Sequence, residues 1–453
     1  MLTTCLYLGL FAGFDSRTAP LDGVWHSDGY GFVLEIQDHT ARLFSTAEDL
    51  CLPEVSTLVP LDELLPGSSF AVSGDGQRLS IGFPMEPHRI SAIRLASLPT
   101  QCSVEMSTDA NAVFEAFVRF FDANYPYFAL YDVDWISRVA AARRRVNDAT
   151  DDQALFDALA WLIAPIRDAH VALIANVDGS RQISAPGRAR VLGYLRDIAQ
   201  VEGRDPASAA RGFRLSIWYE SIATVILRDT GQMRGNDRLQ YGMLTSEVGY
   251  LAFSALDGFG PQDATPEENL AATQGMLDDI LDDLTSLGAR SIVLDLSLNF
   301  GGSDYIAREV ASRFLREGVH AYSKFAADAA LPIVTDVRID QSPRVQFDGD
   351  IFLLTSHITV SAAEVLTLSL RTQPHVTHVG ETTRGALSDA LSRTLPNGWQ
   401  LNLSNEVYLD SEGQHWEGLG IPPDIEMQVL SNADPIANHQ AAILTLLGVE
   451  SSF

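Results

Sequence analysis

The sequence predicts an α/β fold, and three regions of different patterning lead to that prediction. From residue 248 onward, short apolar runs alternate with amphipathic helical patterns, which is typical of a mainly parallel sheet packed against helices. Residues 109–169 carry apolar side chains at helical spacing, whereas residues 23–98 carry short β-type runs separated by turn signals. We therefore expect an α/β domain preceded by a helical bundle and a small N-terminal β module.

The composition is that of a globular protein with an excess of acidic residues. The chain has 453 residues, of which 46% are hydrophobic and 20% are charged, so it is long enough for two or three domains. Its formal charge is −28, from 59 acidic and 31 basic residues, which disfavours nucleic acid and anionic membrane surfaces as partners. No apolar run approaches the roughly 20 residues that a membrane span needs.

The patterning divides the chain into six segments. They are a possible weak or truncated signal segment at 1–20, a β-rich module at 21–105, a helical bundle at 106–170, an irregular α+β connector at 171–247, an α/β domain at 248–430, and a C-terminal helix or tail at 431–453. The apolar stretch 2–14 has the length of a signal-peptide core but lacks a basic N-terminal region. We expect an exported protein, periplasmic or secreted; a cytoplasmic protein with an ordinary buried segment is the alternative.

In the β module, Trp25, Tyr30 and Phe32 are candidates for core aromatic residues. Cys51 and Cys102 flank the module, so they either pair after export or remain two reduced buried thiols. No cysteine and histidine cluster has the spacing of a zinc site, and no metal or organic cofactor is implied.

The predicted helices and strands follow from the spacing of apolar residues. Helices are expected from residue 109, at 135–146, 152–166, 269–287 and 305–316, and strands at 249–253, 291–296 and 351–354. Residues 223–227 also have a β-type pattern. The bundle ends at 167–170, just before a strand-like run.

Ser361 is the first candidate for a functional residue, because it lies where the strand at 351–354 gives way to a helix. Free backbone N–H groups at a helix start favour an anion, so a nucleophilic serine there would have a donor for an oxyanion beside it. The alternative is an ordinary N-cap serine. The run Asn-x-Gly-Gly at 299–302, which follows the strand at 291–296, is a second place where backbone N–H groups can approach a ligand.

Four motifs in order along the chain resemble those of the C-terminal-processing and tricorn-type serine peptidases. They are IVLDLSLNFGG at 292–302, TVSAAE at 359–364, VGETTRG at 379–385 and EGLGIPPD at 417–424. The resemblance spans about 248–428 and implies a crotonase-like α/β domain that hydrolyses peptide bonds through an acyl-enzyme on Ser361. The helical segment before it, with 125–128, 133–135 and 168–170, resembles the bundle of many members.

The resemblance also bears on the base that activates the serine. One branch of the family uses a lysine in a Ser–Lys dyad, but the matching position here is Ala386, and Lys324, the only lysine of the chain, lies outside every motif. The tricorn-like branch takes a histidine from the bundle, and His170 occupies that place.

Glu417 matches the carboxylate that orients this histidine in the family. A serine that relays the contact in tricorn-type members is replaced by Ala169, so direct contact, a water or another acid such as Asp168 must take its place. His357 and His415 are competing bases, while Glu364 is expected to brace the helix. The expected oxyanion donors are the N–H group of Ala362 and that of either Gly301 or Gly302.

The function implied is that of a serine peptidase acting on a peptide or protein substrate, with no indication of its oligomeric state. Two alternatives use the same fold: a non-catalytic protein that binds apolar ligands, as the retinoid-binding relatives do, and an esterase-type acyl hydrolase. A PDZ module is expected to be absent or degenerate between 176 and 247, because no clear carboxylate-binding loop occurs there.

Overall fold

The computed structural model describes residues 20–188, 212, 216–228, 230–430 and 434–448. The mixed α/β class is confirmed, since helices alternate with parallel strands in the second half of the chain. Residues 1–19 of the possible signal segment, and much of the stretch considered for a PDZ module, lie outside the described residues. Among the helices described, none has the length and apolar character to cross a bilayer.

The described strands and helices are numbered here in chain order. The strands are β1 (Gly23–Ser27), β2 (Phe32–Gln37), β3 (Thr40–Ala47), β4 (Leu50–Pro60), β5 (Ser69–Val72), β6 (Arg78–Gly82), β7 (Arg89–Leu95), β8 (Ala172–Val177), β9 (Ser180–Ser184), β10 (Gln232–Arg234), β11 (Leu239–Met243), β12 (Val248–Phe253), β13 (Ser291–Asp295), β14 (Val319–Ala326), β15 (Thr335–Ile339), β16 (Asp350–Thr355), β17 (Val376–Gly380), β18 (Ala390–Thr394), β19 (Gln400–Ser404), β20 (Glu406–Asp410) and β21 (Ile425–Glu426). The helices are α1 (Leu61–Leu64), α2 (Ala110–Asn124), α3 (Trp135–Arg143), α4 (Asp152–Ile163), α5 (Pro266–Ser286), α6 (Asp304–Ser312), α7 (Ala362–Leu370) and α8 (Pro435–Leu446), with a π-helix at Ser216–Ile226.

The N-terminal region is an antiparallel sheet of seven strands in the order β4-β3-β2-β1-β7-β6-β5. Trp25 is fully buried in its core, and its indole N–H donates to the Leu21 carbonyl at 2.8 Å. Cys51 and Cys102 form a disulfide, which ties β4 to the turn that leads into the helical region. Of the two states left open by the sequence, the structure has the paired one.

Helices α2, α3 and α4 each begin at an aspartate whose carboxylate accepts a backbone N–H of the first turn, namely Asp109, Asp134 and Asp151. Their apolar faces pack together and against strands β8 and β19, in one continuous core. These two strands belong to a four-stranded sheet with the order β18-β19-β8-β9. The chain from α4 to β8 therefore runs through residues 164–171, which include His170.

The central sheet has the order β10-β11-β12-β13-β16-β17-β21, and its strands from β12 to β21 are parallel. Strands β13 and β16 are direct neighbours, with Asp295 opposite Leu354 at their carboxyl ends. Ligands of open α/β sheets bind beyond the carboxyl ends of strands. The Gly-Gly turn after β13 and Ser361 after β16 therefore meet at the carboxyl-terminal end of these two strands.

Some predicted boundaries are wrong. Residues 223–226 belong to the π-helix and not to a strand, and the N–H of Leu227, which follows this helix, donates to the carbonyl of Ile222, five residues earlier. A short apolar run fits either structure, and here Ile217 and Ile222 bury one helical face against the central sheet. The predicted helices at 135–146, 152–166 and 305–316 end earlier, at residues 143, 163 and 312.

Helix α8 is attached to the central sheet by a buried polar group. Asp295 at the end of β13 accepts hydrogen bonds at 2.6 Å from the Tyr250 hydroxyl and at 2.8 Å from the Ser297 N–H, and its Oδ2 lies 2.8 Å from His439 Nε2. Burial opposes ionisation of Asp295, yet His439 and these hydrogen bonds hold the pKa of its carboxyl below the usual range.

We expect His439→Ala to lower the free energy of unfolding by about 3 kcal/mol, because it removes one partner of a buried pair. Urea denaturation at neutral pH measures this loss. His320→Ala, at a half-buried histidine of β14, serves as the control and should cost much less. Equal losses in the two variants would show that the Asp295–His439 contact does not anchor α8.

Candidate active site

Ser361 lies between β16 and α7 in a backbone conformation that a serine rarely adopts. Its φ is +60° and its ψ is −126°, whereas an ordinary N-cap residue has the dihedrals of extended backbone. Such a conformation costs about 1–3 kcal/mol and persists only where the surroundings impose it. A strained serine at a strand-to-helix turn is the geometry of a nucleophile elbow.

Glu364, one turn into α7, imposes this conformation. Its buried carboxylate accepts the Thr383 hydroxyl at 2.6 Å and the N–H groups of Gly385 at 2.7 Å, Ala386 at 2.9 Å and Ser361 at 3.1 Å. Burial raises the pKa of Glu364. Because all these contacts are structural, Glu364 braces the turn, as the sequence interpretation expected.

The Gly-Gly turn approaches Ser361 so closely that a side chain would not fit there. A Cβ atom on Gly301 would lie 2.8 Å from the Ser361 Cβ, and one on Gly302 would lie 2.3 Å from the Leu256 carbonyl oxygen. The two glycines also have φ values of +88° and +152°, which favour glycine.

The candidate oxyanion donors are not equivalent. The Gly301 N–H donates to Asn299 Oδ1 at 2.9 Å, and Asn299 Nδ2 in turn donates to the Phe253 carbonyl at 3.0 Å. Within the described residues, the N–H groups of Gly302 and Ala362 donate to no other group. The geometry favours Ala362 and Gly302 as donors, with Gly301 as the residue that lets the loop approach. The role of Asn299 in fixing this loop was not foreseen from the sequence.

His170 is half-buried between α4 and β8, and buried groups fix its backbone. The His170 N–H donates to Asp168 Oδ1 at 2.8 Å, while Asp168 Oδ2 accepts the Tyr125 hydroxyl at 3.2 Å. Asp168 is fully buried. It acts on the main chain of His170, which is a different role from the ring contact considered in the sequence analysis.

One loop contacts the segments that carry all three predicted catalytic residues. We call residues 381–389 the bridging loop. Its Ala386 carbonyl accepts the Ser361 N–H at 3.1 Å, and its Gly385 carbonyl accepts the Gly418 N–H at 2.9 Å. Its Arg384 side chain donates to the Arg167 carbonyl at 3.3 Å, three residues before His170.

Glu417 is buried below the bridging loop. Its Oε2 accepts the N–H groups of Leu387 at 2.8 Å and Ser388 at 3.1 Å, while its Oε1 has no hydrogen-bond partner among the residues that the structure describes. Burial, followed by the charge of Asp168, raises the pKa of Glu417 well above its usual value. The Tyr131 ring packs beside Gly418 and helps to close this site from solvent.

The competing bases have other partners. His357 Nδ1 lies 2.7 Å from Glu381 Oε2, and His415 stacks on Tyr127 with its Nε2 3.4 Å from the Tyr127 hydroxyl. Burial lowers the pKa of His415.

Lys324 is held in a buried ion-pair cluster. Its Nζ lies 2.7 Å from Asp389 Oδ2, 3.0 Å from the Tyr408 hydroxyl and 3.1 Å from Glu406 Oε2. Although burial opposes its charge, Asp389 and Glu406 keep the pKa of Lys324 well above the usual value. A lysine that stays protonated is a poor general base, so this cluster argues against a Ser–Lys dyad.

The comparison with known protein families points to a peptidase. Residues 247–427 match Peptidase family S41, and the four motifs that carry the resemblance lie within this range. The recognition of the chain as a relative of the C-terminal-processing and tricorn-type peptidases is confirmed.

Solved structures share the fold over most of the chain. A putative peptidase from Parabacteroides merdae is 24% identical with a TM-score of 0.59, covering 76% of this chain and 96% of that one. Mature CPAF complexed with lactacystin is 12% identical with a TM-score of 0.54, covering 75% of this chain and 98% of that one. At these identities the likeness extends to the fold alone.

The close approach of Gly301 to Ser361 can be tested with a matched pair of glycines. We expect Gly301→Ala to slow the reaction of Ser361 with a fluorophosphonate about 10²-fold, because the new methyl group displaces the serine by a fraction of an ångström or more. Gly398→Ala is the control, since Gly398 has a similar φ of +84° but no neighbouring atom within 4 Å. Equal reactivity of the two variants would contradict the role assigned to Gly301.

The raised pKa of Glu417 predicts a pH-dependent effect of its amide analogue. Because the folded protein binds this proton more tightly than the unfolded chain, the side chain stabilises the fold at low pH and loses that contribution as pH rises toward its folded pKa. Glu417→Gln keeps an oxygen for Leu387 and Ser388 without the charge, so its unfolding midpoint should exceed that of the wild type at pH 8. Thermal denaturation at pH 5 and pH 8 measures this difference, and a Glu417→Gln protein less stable at pH 8 would contradict it.

Proposed function

We propose that this protein is a serine peptidase that hydrolyses peptide bonds through an acyl-enzyme on Ser361. His170 is the general base and acid, Glu417 orients the histidine, and the N–H groups of Ala362 and Gly302 hold the oxyanion. We further propose that the peptidase domain is crotonase-like and that the bundle of α2, α3 and α4 delivers His170 to it.

The observation that carries this proposal is the strained backbone of Ser361 against the Gly-Gly turn. A serine that merely caps a helix needs neither a positive φ nor a neighbouring turn reduced to glycine. Both features support a hydroxyl that lies beside free backbone N–H groups at the carboxyl-terminal end of a parallel sheet, an arrangement that suits nucleophilic attack on a carbonyl.

The chemistry then follows from these positions. The Ser361 Oγ attacks the scissile carbonyl while its proton passes to the His170 imidazole, and the negative charge develops on the oxygen between Ala362 and Gly302. His170 returns the proton to the leaving amine, and the peptide bond breaks to give the acyl-enzyme. Water then enters, activated by the same imidazole, and releases the acid.

The surroundings of the site support a peptide as the substrate. Phe300, which precedes the Gly-Gly turn, is 51% exposed, and Leu419, which follows Gly418, is 60% exposed. Exposed apolar side chains beside the Gly-Gly turn and the bridging loop can bind side chains of an extended peptide. The Cys51–Cys102 disulfide supports the proposal that the protein is exported, because disulfides persist in oxidising compartments.

Chemical labelling tests the assignment directly. We expect a fluorophosphonate probe to label the wild-type protein on Ser361, and we expect Ser361→Ala to abolish labelling. His170→Ala should slow labelling and hydrolysis of a casein-derived peptide mixture by about 10⁴-fold or more, as for other acyl-transfer triads. His415→Ala, the matched control at a competing histidine, should retain both activities.

Three outcomes would contradict the proposal. Labelling that survives in Ser361→Ala would place the nucleophile elsewhere, and unchanged rates in His170→Ala would exclude it as the base. Cleavage of p-nitrophenyl esters without any cleavage of the peptide mixture would indicate an esterase.

A further inference from the structure

Asp389, at the end of the bridging loop, is a charged residue that the proposed triad does not use. It joins a buried cation to the protein surface, because its side chain is 57% exposed while Lys324, 2.7 Å away, is only 4% exposed. The second carboxylate on Lys324, that of Glu406, is 4% exposed and accepts the Tyr30 hydroxyl at 2.5 Å. Of the two, Asp389 is the one whose carboxylate is accessible to a group outside the cluster.

The topology places Asp389 and His170 at the same end of one sheet. Strands β8 and β18 flank β19, and the register pairs Ala172 with Asn402 and Asn402 with Ser392. His170 lies two residues before β8, and Asp389 lies one residue before β18. Because two strand spacings separate them, their backbones are roughly 10 Å apart, a gap that an imidazole and a carboxylate together can largely span.

The pKa values of their carboxyl groups distinguish Asp389 from Glu417. Partial desolvation beside the buried Lys324 opposes ionisation of Asp389, but the charge of Lys324, hydrogen bonds from Lys324 and Tyr408, and the charge of a protonated His170 keep its pKa below the usual range. The pKa of Glu417 is raised instead. At neutral pH, Asp389 is therefore the stronger source of negative charge near His170.

We propose that Asp389 is a positioning residue whose ionised carboxylate compensates the imidazolium that His170 becomes during acyl transfer. Glu417 then holds the bridging loop and the orientation of the ring. In a Ser-His-Asp triad one carboxylate serves both purposes, and here two residues divide them. This inference rests on the proposed function, because it requires His170 to act as the base.

The same proposal gives Lys324 a function, although it is not the base. Besides His170, the titratable groups around Asp389 are Lys324, Tyr408, Glu406 and Asp304 of its cluster, together with Tyr30 and His88. Burial and the charge of Asp389 raise the pKa of Asp304 to about 7, and burial also raises the pKa of Glu406. Because both shifts favour the neutral forms of Asp304 and Glu406, Asp389 is the main counter-charge of Lys324.

The test is the pH dependence of the labelling rate with a fluorophosphonate, since this rate reports the base in the free enzyme. The acidic limb of this pH–rate profile is the pH range in which protonation of the base slows labelling. We expect Asp389→Asn to shift this limb to lower pH by about one unit or more, because the loss of a nearby carboxylate destabilises the imidazolium. The plateau rate should also fall about tenfold, a part of the 10²–10⁴ that such a base contributes. Asp389→Glu should restore most of both properties.

Glu406→Gln is the matched control, because it removes the other carboxylate partner of Lys324 without touching Asp389. It should leave the acidic limb in place. Thermal denaturation and circular dichroism of each variant show whether it is folded, and the limb can be compared between folded variants even if their stabilities differ. A purely structural role for Asp389 would lower stability without moving the limb.

The outcomes separate this inference from the proposed function. If Asp389→Asn has the wild-type limb and plateau, while Ser361→Ala and His170→Ala abolish labelling, the inference is overturned and the serine peptidase proposal stands. If His170→Ala reacts as the wild type does, both are overturned, because Asp389 then has no base to position.

Discussion

Two buried carboxyl groups hold four successive backbone N–H groups of the bridging loop, and the rest of the site depends on this arrangement. Glu364 accepts the N–H groups of Gly385 and Ala386, and Glu417 accepts those of Leu387 and Ser388. Glu364 comes from the helix that follows Ser361, whereas Glu417 comes from a segment more than fifty residues later in the chain. The loop therefore joins the proposed nucleophile to the proposed orienting group through its own backbone.

Buried carboxyl groups are unfavourable unless they are hydrogen-bonded, and this protein satisfies them unequally. Glu364 uses both oxygens, which makes it a purely structural group. Glu417 uses one, and its second oxygen accepts no hydrogen bond from the residues that the structure describes. Asp389 differs from both, because its carboxylate is exposed and a buried lysine lowers its pKa.

Much of the fold follows from sequence periodicity, because its elements are long or strongly patterned. The run at 351–354 and the helix after Ser361 were predicted in this way, and the motifs identified the peptidase family. The prediction of a strand at 223–227 was wrong, because a five-residue apolar run is too short for its periodicity to distinguish a strand from a helix. The contacts of Lys324 with Asp389, or of Asp295 with His439, join residues far apart in the chain and leave no local pattern. The hydrogen bond that occupies the Gly301 N–H also required the structure, since the sequence shows only that glycine is present.

The central claim is that His170 activates Ser361, and a crystal structure of the protein after reaction with diisopropyl fluorophosphate tests it most directly. The account predicts a phosphoryl group on the Ser361 Oγ, with its oxygen about 3 Å from the N–H groups of Ala362 and Gly302. The His170 imidazole should lie about 3 Å from an oxygen of the adduct. A phosphorylated Ser361 with the His170 ring more than about 8 Å away, and no mobile segment between them, would contradict the account.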